Sequence, residues 1–273
     1  MGRLATATRV LKTQGPAGVL AAFKDRYLNN RLGRRIDWCY GKALELRGNA
    51  IEIEGCVFGL DSPAITTPSK SKFMFGRYER PEREAVRRFV DPDLPVIEFG
   101  GSIGVISCLT NRRLLDPKAH VVVEANPALV PLLRANRDRN RCQFTVLARV
   151  VGYSGARAFF YVDQSNFVIG STVTTQPGSG VDVLQVETID LRSIVDQRNF
   201  DRVTLICDIE GGEGELLRYE ADVIGARVVT LILEVHEWSM GQSRTAECLK
   251  QIAELGFRTV FSEADTYVFR KGR

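Results

Sequence analysis

From residue 95 onward the chain alternates short, almost unbroken apolar runs with longer segments in which apolar and polar positions mix. The runs 95–99 (PVIEF), 119–124 (AHVVVE), 142–148 (CQFTVLA), 202–208 (RVTLICD) and 227–235 (RVVTLILEV) are rich in β-formers. Strands covered on both faces of a parallel sheet read this way, because none of their positions faces water. The segments 103–115, 127–139, 213–220 and 242–255 between and after them predict helices. Pro81 opens a further helix over PEREAVRRFV, which Asp91-Pro92 ends. Past Gly256, FRTVF and TYVFR predict two closing strands around Ser262 to Asp265. Strand and helix in this rhythm predict an α/β fold, a Rossmann-like, doubly wound and mostly parallel sheet.

Before that domain the pattern is different. Segment 17–30 sets Val19, Leu20, Phe23, Tyr27 and Leu28 at helical spacing, and 50–67 alternates in short stretches broken by Gly55, Gly59 and Pro63. An amphipathic helix and a small β-hairpin are expected there, so residues 1–75 read as an N-terminal addition to a main domain over 76–273. Within that domain, residues 157–188 interrupt the rhythm with Phe159, Phe160 and Tyr161 and a Gly/Ser/Thr-rich stretch from Gly170 to Gly180. A hairpin with a long loop is expected there, a common place for a lid or an acceptor site.

Composition narrows the class. Of 273 residues, 44% are hydrophobic and 26% charged, which is ordinary for a globular protein and argues against disorder. No apolar run approaches the roughly 20 residues of a transmembrane helix, and the opening residues lack a secretory apolar stretch, so a soluble, cytoplasmic protein is expected. Six scattered cysteines without a CxxC pair read as buried thiols in a reducing compartment, with no zinc site or disulfide framework. The net charge of +4 is uneven, since residues 1–48 hold ten Lys or Arg against three acids, a local +7. This segment could touch anionic lipid peripherally, or simply form a solvated helical cap.

The strongest local feature is Val96-Ile97-Glu98-Phe99-Gly100-Gly101-Ser102-Ile103-Gly104, a strand running into a glycine turn and a helix. Such a turn lets a ligand approach the backbone closely. Glu124 follows the second strand, twenty residues past Gly104, where a doubly wound site offers an acid to ribose hydroxyls. Glu98, just before the turn, would repel a pyrophosphate but favour an ammonium group, which points to S-adenosylmethionine over NAD.

The order Glu98-Phe-Gly-Gly-Ser-Ile-Gly104, Glu124-Ala-Asn-Pro127, Val186-Glu-Thr-Ile-Asp190, Asp208-Ile-Glu-Gly-Gly-Glu213 and Glu234-Val-His236 resembles the FkbM-type family of S-adenosylmethionine-dependent methyltransferases over roughly Phe75 to Arg270. The chain departs from that family at Gly101-Ser102, where Ala-Asn is usual, and at Cys207, where Lys is usual. The resemblance implies a class I methyltransferase sheet. It places Glu98, Gly100, Gly101, Ser102 and Gly104 along the methionine portion of the cofactor, Glu124 on the ribose and Asn126 near the adenine. It also implies transfer to a hydroxyl oxygen, often on a sugar or polyketide-like product, and a family position near the cofactor at Glu79.

In an open parallel sheet, ligands bind beyond the carboxyl ends of the strands, where the fourth strand delivers Asp208 and Glu210. The two-residue strand period turns Glu234 and His236 to one side, and a neutral His236 could take the acceptor's proton. Asp208, His236 and Glu210 are therefore the candidate catalytic residues. His120, at the far end of its strand, reads as structural, and Trp238, Phe75 and Tyr78 as core or pocket aromatics. The spacing of Asp208, Glu210 and His236 does not demand a metal, although the ligand types would permit one. The expected partner is a glycan or small-molecule acceptor. An RNA methyltransferase is the nearest rival, kept by the basic leading segment, but no RNA-binding module is recognisable and the rest of the chain is slightly acidic. A non-catalytic cofactor-binding interaction protein and an NAD-linked oxidoreductase are further alternatives.

Overall fold

The computed structural model describes residues 30–74, 78–153, 155–162, 171–172 and 182–272. Seven strands form the central sheet: β3 (Val96–Phe99), β4 (His120–Val123), β5 (Thr145–Leu147), β10 (Val203–Cys207), β11 (Val228–Glu234), β12 (Phe257–Glu263) and β13 (Thr266–Lys271). Their order is β12-β13-β11-β10-β3-β4-β5. The five strands from β11 to β5 are parallel, and β13 enters antiparallel beside β11. This is the class I methyltransferase arrangement, and the chain reverses its winding direction between β3 and β10. Residues of β3, β4 and β10 are buried throughout, which is why these strands are apolar at every position save Glu98, His120 and Thr204.

Crossovers α4 (Val105–Asn111), α5 (Val130–Arg139), α7 (Glu213–Arg227) and α9 (Gln242–Glu254) occupy the expected helical segments, and α3 (Arg80–Phe89) starts one residue before the expected Pro81. The expected helix end at residue 220 is a kink instead: Glu220 leaves helical geometry at φ −127° and the helix continues to Arg227. The expected strand 142–148 is regular only over β5. Helix α6 (Leu191–Arg198) follows Asp190 and was not expected. Ahead of it, β7 (Arg157–Val162) pairs antiparallel with β9 (Asp182–Ile189), the hairpin expected over 157–188, and β6 (Val150–Val151) and β8 (Ser171–Thr172) complete this smaller sheet. The expected helix over 17–30 falls outside the described residues apart from Asn30, and so does most of the loop that joins β7 to β9.

At the N-terminal side, α1 (Asn30–Leu46) is followed by the hairpin β1 (Ala50–Ile53) and β2 (Cys56–Gly59), and by the short α2 (Ser71–Met74). Leu44, Ile53, Phe58 and Leu60 share one buried cluster with Ile103, Leu133 and Phe144 of the sheet domain. Asn136 of α5 seals the join: its Oδ1 accepts from the Gly59 amide at 2.7 Å, and its Nδ2 donates to the carbonyls of Gly59 and Ile103 at 3.2 and 2.9 Å. Among the described residues no helix is long and apolar enough to cross a membrane.

Candidate active site

The winding reversal opens a crevice between the ends of β3 and β10, and the glycine turn lines it. Gly100 and Gly104 both sit at φ +91°, a conformation that strains L side chains, and a Cβ on Gly100 would run into the Asp208 carbonyl oxygen. Ser102, between the two glycines, is also left-handed at φ 46°. Two further non-glycine residues around the crevice, Glu79 at φ 48° and Glu210 at φ 52°, share that uncommon conformation, a concentration of backbone strain typical of a binding site.

A small cavity beside the turn is lined by Glu79, Glu82, Glu98, Gly100, Gly101 and Asp208, with Ile106 and Ile206 on its apolar side. Four acids gathered this closely resist being ionised together, and a cationic occupant would favour their charged forms. Burial pushes Glu79 up to about 8 and Glu82 well above the usual carboxylate range, with neighbouring acids adding to the shift. Glu98 is held in place, accepting from Ser107 Oγ at 2.5 Å and lying 3.2 Å from His120 Nε2. His120 is fully buried at the far end of β4, in keeping with its structural reading, but what it supports is a carboxylate of the site.

Past β4, Glu124 accepts from the Ser102 amide and from the Asn126 amide, both at 2.7 Å. Burial raises it to about 7 against the pull of those amides. Asn126 is buried, its Oδ1 accepts from the Ala128 amide at 3.0 Å, and its Nδ2 donor has no partner among the described residues.

A second group gathers at the ends of β10 and β11. His236 Nδ1 lies 2.7 Å from Glu213 Oε1 in α7, and its Nε2 faces Asp208 Oδ1 at 3.4 Å, Glu210 Oε2 at 3.5 Å and Glu234 Oε1 at 3.8 Å. Burial disfavours the charged imidazole, but the Glu213 bond and the charges of Asp208 and Glu210 outweigh it and raise His236 to about 9. These acids favour positive charge at the Nε2 side of the ring, whether carried by a proton or by a cation. Asp208 Oδ1 and Glu210 Oε2 are buried without hydrogen-bond partners among the described residues.

The structure thus brings Glu98, Gly100, Gly101 and Asp208 to one cavity, ties Glu124 to Ser102 of the same glycine turn and to Asn126 by hydrogen bonds, keeps Gly104 at the end of that turn, and sets Glu210 and His236 beside Asp208 at the strand ends. Sequence reasoning missed Glu82, Ser107 and Glu213, which sit on helices and there resemble ordinary polar positions. Trp238 in α8 (Glu237–Met240) is largely exposed, its ring edge-on to His236 with centroids 5.9 Å apart. Tyr78 is buried, its hydroxyl 3.1 Å from Ser102 Oγ, and Phe75 lies outside the described residues.

Residues 98–259, more than half of the chain, match the family described as Methyltransferase FkbM domain. The chain belongs to the FkbM methyltransferase family. It is an S-adenosylmethionine-dependent methyltransferase. Among solved structures it is similar to a protein of the NADB-Rossmann superfamily from Streptococcus agalactiae, at 13% identity and TM-score 0.42 over 70% of this chain and 68% of that one. It is also similar to precorrin-6y C5,15-methyltransferase from Geobacter metallireducens, at 11% identity and TM-score 0.41 over 72% of this chain and 89% of that one. A third similar structure is TYW2 of M. jannaschii in complex with AdoMet, at 13% identity and TM-score 0.41 over 82% and 86% of the two chains. No curated protein matches.

The crevice fits the cofactor of this FkbM methyltransferase. Its glycine turn leaves backbone open to a ligand, its acid-lined cavity suits a group bearing ammonium and sulfonium charges, and the Asn126 donor awaits an acceptor.

Proposed function

We propose that this FkbM methyltransferase methylates a hydroxyl oxygen of a glycan or small-molecule acceptor held at the ends of β10 and β11. The observation that supports this reading is the pair of buried carboxylate oxygens, Asp208 Oδ1 and Glu210 Oε2, which face His236 Nε2 but have no hydrogen-bond partner among the described residues. A buried acceptor left without a donor is costly, and a substrate hydroxyl supplies a donor. S-adenosylmethionine, when bound, supplies a methyl group on a sulfonium, ready for in-line displacement.

The chain's own residues have three tasks. Glu98, Gly100, Gly101, Ser102 and Gly104 line the methionine portion, with Glu79 and Glu82 as neighbouring acids that a bound cation would draw toward their charged forms. Glu124 receives the ribose hydroxyls, and the Nδ2 of Asn126 meets an adenine acceptor atom. Asp208 and Glu210 orient the acceptor hydroxyl, Glu210 takes its proton, and His236, held by Glu213, stands between the two carboxylates. A cytoplasmic setting accords with six free cysteines, five of them buried.

A panel of hydroxylated sugars and metabolites, incubated with methyl-labelled cofactor, tests the reading. Glu210→Gln should then lower turnover by about 10²–10⁴-fold with cofactor affinity nearly kept. Label transfer to nitrogen or carbon acceptors alone, or full turnover in Glu210→Gln, would overturn it.

A further inference from the structure

We propose that the cluster at the ends of β10 and β11 is a divalent metal site, with Asp208, Glu234 and His236 as ligands. The sequence spacing does not demand a metal; the three-dimensional arrangement does point to one. This deepens the acceptor reading above and rests on it for its purpose, though not for its test.

One ligand atom from each of the three residues lies within 4.8 Å of the other two. His236 Nε2 stands 3.4 Å from Asp208 Oδ1 and 3.8 Å from Glu234 Oε1. Around an ion with bonds of about 2.1–2.3 Å, adjacent donor atoms stand roughly 3–3.7 Å apart, and opposite ones up to about 4.5 Å. A direct charge-assisted hydrogen bond would instead close to about 2.8 Å. Asp208 Oδ1 is buried without a hydrogen-bond partner among the described residues, so the imidazole does not satisfy it directly.

The back of the ring carries the second mark. Nδ1 lies 2.7 Å from Oε1 of the fully buried Glu213, and with Nδ1 donating there a cation replaces the Nε2 proton, the Nε2 lone pair being aimed at Asp208 and Glu234. A carboxylate behind an imidazole is the common support of a metal-binding histidine. Glu210 brings a fourth carboxylate, its Oε2 at 3.5 Å from Nε2, an excess of negative charge that a divalent cation offsets.

An imidazole with two carboxylates suits Mn²⁺, Fe²⁺ or Zn²⁺ better than the all-oxygen preference of Ca²⁺ or Mg²⁺. Three protein ligands leave positions open for an acceptor hydroxyl, whose proton a metal would loosen. Glu210, outside the ligand set, is placed to receive it.

Mn²⁺ titration of the chelator-stripped, full-length protein, followed by electron paramagnetic resonance, tests this. The expected result is one bound ion per chain, weakened at least tenfold in Glu234→Gln and in His236→Gln. Both variants should keep cofactor binding by calorimetry. Should a variant fail to fold, pulsed resonance on the wild type decides, because a coordinated imidazole nitrogen leaves its own coupling. No stoichiometric binding of Mn²⁺ or Zn²⁺ by wild-type protein that binds cofactor, or an ion without nitrogen coupling, overturns the proposal. Mn²⁺ bound through His236 with no hydroxyl acceptor methylated sinks the acceptor reading and leaves the metal site standing. Hydroxyl methylation that survives chelation, with no ion bound, does the reverse.

Discussion

At the end of β4, the two oxygens of Glu124 hold the Ser102 and Asn126 amides, and in the proposed reading the same carboxylate also receives the ribose hydroxyls. Losing a charged acceptor of this kind costs about 1.5–3 kcal/mol, so Glu124→Ala should weaken cofactor binding roughly 10- to 150-fold by calorimetry. From sequence alone Glu124→Gln looks milder. The geometry says otherwise, because both oxygens face backbone N–H groups and a glutamine must turn its own NH₂ toward one of them. We expect the two variants to lie within a few-fold of each other, and a near-wild-type Gln variant would refute the double role. The acid also predicts a pH dependence. Being raised to about 7, it is protonated below that value and then accepts poorly from ribose hydroxyls, so affinity should fall as pH drops from 8 to 6. In the ligand-free protein the sign is opposite: a folded pKa raised above the unfolded one adds stability at low pH that is lost as pH rises through about 7. A binding profile in wild type no steeper than in Glu124→Gln would remove the ribose role.

At the scale of elements, the join between α6 and α7 shows how a polar residue can set a helix boundary on another segment. Glu220 breaks helical geometry inside α7 and accepts from the Leu191 and Arg192 amides at the start of α6, both at 2.8 Å, and from Tyr153 Oη at 3.1 Å. Asp190 adds the local cap, accepting from the Ser193 amide at 2.7 Å. Glu220→Ala should therefore cost about 2–3 kcal/mol in urea unfolding, because it leaves the buried Leu191 amide and the part-buried Arg192 amide bare. Asp190→Ala should cost nearer about 1 kcal/mol, and equal losses would mean that Glu220 is not the main cap. The same contrast explains what the sequence discloses. β3, β4 and β10 are legible because strands buried on both faces must be apolar in sequence. α6 is not, since only Leu191, Ile194 and Val195 of its residues are buried and its strongest cap comes from Glu220, far along the chain. Asp208, Glu210 and His236 could be placed because strand ends face the crevice. Glu213 could not, because an acid in the first turn of a helix is ordinary until His236 is found against it.

For the molecule as a whole, the question is whether the N-terminal segment and the sheet domain fold as one. Leu44, Ile53 and Phe58 lie in the same cluster as Ile103 and Leu133, and the polar contacts run the same way, with Asn140 as well as Asn136 bonded to the hairpin. Farther along, Tyr78 stacks on Phe73 and reaches Ser102 of the glycine turn, so the segment ahead of the sheet also supports the cofactor crevice. The two tryptophans make this testable, because Trp38 sits in α1 and Trp238 beside His236. Single-tryptophan variants, Trp238→Phe and Trp38→Phe, should unfold in urea with coincident transitions, the signature of one cooperative unit. Asn136→Ala should lower the stability of both by about 2–4 kcal/mol, since it leaves the Gly59 amide and the Gly59 and Ile103 carbonyls buried without their partner. If instead Trp38 reports an earlier transition in otherwise wild-type protein, the segment is a docked module rather than part of the core. Asn136→Ala would then move that first transition alone, leaving the unfolding seen at Trp238 where it was.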